Sequence, residues 1–250
     1  MTRYVAIGDS FTEGLGDTLP DGTERGWADL VAAGLSEIAG GPVEYANLAI
    51  RGRLLEPIVN DQLEAALALS PAPTMITFNG GGNDMLRRGV SLDRLVELTE
   101  HAVRRCAESG VRLVVLSGAD PSDHLPFGST FRQRGETLTA AVSELLPRYD
   151  VTFVDCFRDV ELRRRVYWSS DRLHLNAAGH RRVASLVLGA LGHPAPPHTL
   201  DPGPAPAFHL LNEARYYGEH VLPWINRRLR GRSSGDNRVP KFATWTPITA

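Results

Sequence analysis

Five short runs rich in β-branched or apolar residues, at 3–7, 43–48, 74–78, 111–117 and 151–155, recur along the chain. Helical patterns fill the gaps between them, at 27–38, 57–69, 92–108 and 135–146. A last helical pattern, 177–191, follows Asn176, whose side chain suits an N-cap. Within 92–108, Leu92, Leu95, Val96, Leu98, Ala102, Val103 and Cys106 form one broad apolar stripe. Strand alternating with helix implies right-handed crossovers, and these build a parallel sheet covered on both faces. The pattern predicts a three-layer α/β/α domain.

At 250 residues the chain can bury a core that needs no staples. The expected division is a domain over 1–193 and an extension over 194–250. The extension opens on a proline-dense strap, 194–206, and then spaces Ala214, Tyr217, Val221, Trp224, Ile225 and Leu229 along one helical face. That face is expected to dock on the core or on a second subunit, which would make a homodimer. Arg227, Arg228, Arg230 and Arg232 read as a solvated helix end.

A formal charge of −2 gives no global reason to expect nucleic acid as a partner. Lys241 is the only lysine, which reads as the codon bias of a GC-rich bacterial genome. Cys106 and Cys156 lack metal-ligand spacing and are expected to be buried free thiols. No stretch has the length of a membrane span, and 4–8 carries no basic leader. The cytoplasm is the expected location, with secretion open if a leader preceded Met1.

In a parallel sheet of this kind ligands bind at the carboxyl ends of the strands. The letters there exclude several functions. Gly14-Leu15-Gly16-Asp17-Thr18-Leu19 lacks the third glycine of a dinucleotide fingerprint, and Lys241-Phe242 cannot complete a Walker A loop. No His-Glu-x-x-His zinc site occurs. The Gly-x-Ser-x-Gly elbow fails because Thr12 follows Gly8-Asp9-Ser10-Phe11.

Four blocks remain, each near a predicted strand end. They are Gly8-Asp9-Ser10-Phe11-Thr12-Glu13-Gly14, Asn47-Leu48-Ala49-Ile50-Arg51-Gly52, Gly81-Gly82-Asn83-Asp84 and Asp171-Arg172-Leu173-His174. In that order they resemble the SGNH (GDSL-type) hydrolases over roughly the first 190 residues. Phe11 stands where the four-letter GDSL form has leucine. The resemblance implies a flavodoxin-like sandwich with a five-stranded parallel sheet, and hydrolysis of an ester or thioester without metal or organic cofactor.

It also assigns roles. Ser10 is the nucleophile and His174 its base, while Asp171 holds the second ring nitrogen. The backbone N–H groups of Ser10 and Gly52 and the amide of Asn83 bind the oxyanion. The loop with His124 and Phe127, together with Tyr167 and Trp168, is expected to line the substrate pocket. Asp9 and Asp84 are expected to brace their loops. Each block has a plainer reading alone: Asp9-Ser10 as a helix cap, Asn83 as a turn residue, Asp171 and His174 as a surface pair. Asp120, Asp123 and His124 could suggest a metal, but a solvated loop suits them better. Two rival functions use the same residues or fold, an acyltransferase and a catalytically silent binding module.

Overall fold

Hydrogen bonding joins the strands into one sheet of six, ordered β5-β4-β3-β1-β2-β6, in a computed structural model that describes residues 1–126, 128–193, 202 and 234–249. β1 (Arg3–Ile7), β2 (Val43–Asn47), β3 (Met75–Phe78), β4 (Arg112–Leu116) and β5 (Thr152–Val154) are mutually parallel. These are the five expected strands. Their order 2-1-3-4-5 is flavodoxin-like, with the switch of direction at β1.

The sixth strand is an addition to the five-stranded reading. β6 (Phe242–Ile248) runs antiparallel along β2, pairing Val43 with Ile248 and Tyr45 with Thr246. Its signal in the sequence is weak, because Pro247 removes a ladder donor and only one edge of the strand is paired. An edge strand tolerates both features. The end of the 194–250 segment therefore belongs to the sheet, whereas the proline strap apart from Pro202 and the helical face at 214–229 lie outside the described residues.

Both faces of the sheet are covered, and the period-two alternation of side chains divides them. Tyr4 and Ala6 point to the layer of α2 (Trp27–Ala39) and α8 (Ala177–Ala190). Val5 and Ile7 point the other way. That second layer begins with α3 (Leu55–Pro57), which passes through a π turn, Ile58–Gln62, into α4 (Leu63–Leu67). It continues with α6 (Leu92–Glu108) and α7 (Gly128–Leu145).

Local signals fix several of these elements. Asn176 caps α8 by accepting from the N–H groups of Ala178 and Gly179, at 3.0 and 3.1 Å. α6 buries Leu95, Leu98, Ala102, Val103 and Cys106 as its stripe requires. Cys106 and Cys156 are buried free thiols, and desolvation pushes Cys106 up to about 12. Among the described residues no helix is long and apolar enough to cross a membrane.

Candidate active site

Ser10 opens a single helical turn, α1 (Ser10–Glu13), directly after β1. Asp9 caps this turn by accepting the Phe11 N–H at 3.1 Å, and Gly14 ends it in a left-handed conformation. Gly8, before it, must be glycine, because a Cβ there would lie 2.5 Å from Thr12 Oγ1 and 2.9 Å from the Asn79 carbonyl oxygen. The turn therefore sits at the switch point, where two neighbouring strands diverge in connection.

His174 reaches Ser10 from a narrow antiparallel turn. Trp168 and Leu175 form a bridge, the Ser169 N–H donates to the His174 carbonyl at 2.9 Å, and Arg172 at the tip has φ +61°. Asp171 folds back inside this turn, where Oδ1 accepts from Ser169 Oγ at 2.6 Å and from the N–H groups of Leu173 and His174 at 3.0 Å. Its Oδ2 lies 2.6 Å from His174 Nδ1, and His174 Nε2 lies 3.0 Å from Ser10 Oγ. Burial opposes ionisation of Asp171, but the hydrogen bonds from His174 and Ser169 outweigh it and hold the carboxyl well below its usual range. An ionised Asp171 accepts from Nδ1–H, which leaves Nε2 as the ring's acceptor for the serine proton.

The loop after β2 comes to the same edge. Gly52 has φ +74°, the left-handed conformation that favours glycine. The Glu13 carboxylate clamps this loop, taking the Arg51 N–H at 2.6 Å and its guanidinium at 2.8 and 2.5 Å. Asp84 accepts the Leu55 N–H at 2.9 Å and pins the loop's far end. Asn83, on α5 (Gly82–Met85), donates from Nδ2 to Asp9 Oδ2 at 3.0 Å and to the Arg53 carbonyl at 3.1 Å. Both amide protons thus have partners in this state. Desolvation raises Asp9 to about 6, against the opposing bonds from Phe11 and Asn83.

Of the residues expected at the pocket, Trp168 lines the cavity that contains Ser10, Asn83 and His174. His124 and Tyr167 do not line it. His124 Nε2 is turned to the Arg163 carbonyl at 2.9 Å, and Tyr167 is buried in the layer of α2 and α8. Phe127 lies outside the described residues. Asp120 and Asp123 bind Arg132 and Arg163, so that loop is braced by ion pairs.

Sequence reasoning missed the supports behind the site. His180 is fully buried, accepts the Trp27 N–H at 3.2 Å on Nδ1, and donates from Nε2 to the Leu15 carbonyl at 3.0 Å. Desolvation lowers it to about 4, so it stays neutral. Lys241 was equally unmarked. Its ammonium donates to the carbonyls of Glu13 and Glu24, at 2.8 and 2.9 Å, and to Asp29 Oδ2 at 2.6 Å. No spacing signal connects residues so far apart in the chain.

A hydroxyl, an imidazole and a carboxylate aligned in this way can activate a serine as a nucleophile. Fold and site together define a serine hydrolase on a flavodoxin-like frame. The chain belongs to the GDSL-like lipase/acylhydrolase family, whose model matches residues 6–182. It is by that membership an ester hydrolase.

Solved structures share the fold at low identity. The lipase Lip_vut3 from a goat rumen metagenome is 18% identical, with a TM-score of 0.64, over 76% of this chain and 97% of that one. The psychrotrophic esterase EstA from Pseudoalteromonas sp. is 16% identical, with a TM-score of 0.60, over 77% and 97%. A tryptophan-to-isoleucine variant of the acetyl xylan esterase Axe2 from Geobacillus stearothermophilus is 19% identical, with a TM-score of 0.61, over 78% and 96%. No curated protein sequence matches the chain significantly.

Proposed function

We propose that this enzyme hydrolyses a carboxylic ester or thioester through an acyl-Ser10 intermediate, with His174 as general base and Asp171 as its orienting partner. The observation that carries the reading is the position of His174, 3.0 Å from Ser10 Oγ on one ring nitrogen and 2.6 Å from Asp171 on the other. Ser10 Oγ attacks the carbonyl carbon while Nε2 takes its proton. The imidazolium then gives that proton to the leaving alcohol or thiol. Water enters, loses a proton to Nε2, and attacks the acyl carbon, which releases the acid and restores Ser10.

Charge that develops on the carbonyl oxygen needs donors. The N–H groups of Ser10 and Gly52 and the Asn83 amide are assigned to it. Asn83 serves by sharing or releasing its bond to Asp9 or to the Arg53 carbonyl, which exchanges one acceptor of its amide for another. A fluorophosphonate probe tests the reading without knowledge of the substrate. Ser10 is expected to be labelled in the native enzyme, with no labelling in Ser10→Ala and greatly slowed labelling in His174→Ala. Labelling elsewhere, or none, would overturn it.

A further inference from the structure

The cavity at Ser10 continues inward, between the sheet and the layer of α6 and α7, with a volume of about 120 Å³. Its floor is Phe78, Val115 and Phe153, which stand side by side across β3, β4 and β5. Its roof is Gly135, Leu138, Thr139 and Val142 of α7. Their spacing of i, i+3, i+4 and i+7 makes one helical stripe about 10 Å long. As the crossover between parallel strands, α7 runs back away from the carboxyl edge. Val142 therefore marks the end remote from Ser10. Phe78, Thr99, Val115 and Val142, which line this end, are all buried, and Phe153 beside them is half-buried.

The lining offers nothing to a charged ligand. Its ionisable members, Asp9 and His174, belong to the mouth. Of the polar side chains inside, Thr99 Oγ1 donates to the Leu95 carbonyl at 2.8 Å, Asn79 Nδ2 to the Leu116 carbonyl at 3.0 Å and Ser117 Oγ to Asp155 Oδ1 at 3.1 Å, and Thr139 adds one hydroxyl to the roof. A charged group entering here would lose its water without an opposite charge to replace it.

An apolar chamber leading inward from Ser10 suits the part of the substrate that stays. The leaving alcohol departs protonated by His174, whereas the acyl group remains bonded to Ser10 Oγ until water arrives. An aliphatic cavity of about 150 Å³ holds benzene, so this one accepts a chain of a few carbons. Resting on the acyl-serine reading, we propose that the chamber is an acyl-chain site selecting straight chains of about four to eight carbons. The methyl end lies against Thr99, Val142 and Phe153.

The test is kcat/KM on p-nitrophenyl acetate, butanoate, hexanoate, octanoate and hexadecanoate. Each methylene that enters the chamber should raise kcat/KM about fourfold, up to an optimum between butanoate and octanoate. Hexadecanoate should fall far below that optimum. Val142→Phe fills the inner end and should shift the optimum to shorter chains. Val142→Ala, which cannot overpack, should shift it to longer ones. An optimum on acetate, a profile flat to hexadecanoate, or an optimum unmoved in the variants that fold would overturn the chamber. Fluorophosphonate labelling separates the two levels. A labelled Ser10 with the wrong length profile sinks the chamber alone, whereas an unlabelled Ser10 sinks the acyl-serine reading beneath it.

Discussion

Lys241 and Glu13 meet through a 2.8 Å hydrogen bond from the ammonium to the main-chain carbonyl, which joins the segment leading into β6 to the turn that carries Ser10. The Glu13 carboxylate in turn clamps Arg51, so one residue braces both the nucleophile turn and the Gly52 loop. The family match ends at residue 182, so this brace comes from beyond it.

Lys241→Met should therefore destabilise the protein. It leaves the mostly buried Asp29 carboxylate without its cation, a change that costs about 3 kcal/mol in comparable buried pairs. Thermal unfolding would read this as a lower midpoint. An unchanged midpoint would show that the contact contributes nothing.

Ser10 and His174 act in one proton transfer, so their removal should not be additive. Ser10→Ala, His174→Ala and the double variant should each lose about 10⁶-fold in kcat. Asp171→Ala should lose less, about 10–10⁴-fold, because the ring keeps its position next to Ser10 in part without it. Substantial activity in Ser10→Ala with none in Asp171→Ala would reject the serine mechanism.

Asn83→Ala should lower kcat by about 10²–10³-fold with little change in KM, as loss of an oxyanion donor does. The same change frees Asp9 Oδ2, so unfolding must be measured beside the kinetics. A loss of activity that merely follows a loss of stability would assign Asn83 to the turn alone.

Asp9 and Asp171 should give opposite pH dependences of stability. The folded carboxyl of Asp9 titrates near 6 instead of 3.8, so between those values the native state binds more protons than the unfolded chain. Stability then falls as pH rises through about 4 to 6, and the ionised group costs on the order of 3 kcal/mol above pH 6. Asp9→Asn keeps one acceptor oxygen and loses the other, a cost independent of pH, so its unfolding midpoint relative to the native protein should rise from pH 4 to pH 7. Asp171 is depressed, so its contribution is present above the ordinary carboxylate range and is lost only as pH falls towards its folded value. A difference between Asp9→Asn and the native protein that was the same at pH 4 and pH 7 would refute the assignment.

Much of this molecule was legible in the sequence because the signals are local. Strand length, helical periodicity and the Asn176 cap depend on neighbours a few residues apart, and they located five strands and the helices between them. The Asp171 to His174 turn is of the same kind, since three residues suffice to fold the carboxylate onto its own imidazole. Other features depend on which surfaces meet. Nothing near Lys241 marks it as a partner of Glu13, 228 residues away. Nothing near Phe242–Ile248 says that β2 has an open edge for it. Tyr167 reads as a pocket residue by proximity to the Asp171 block and His124 by its place in the loop after the fourth strand, but packing turns His124 to the Arg163 carbonyl and Tyr167 into the core. Phe78, Val115 and Phe153 read only as strand core, and the gap above them lies under Leu138, Thr139 and Val142 of α7, while Gly135 makes room for the Phe157 ring, which would stand 2.2 Å from a Cβ there. Periodicity fixes which face of an element is apolar; how tightly two such faces close is set by side-chain volumes that meet only when the chain has folded.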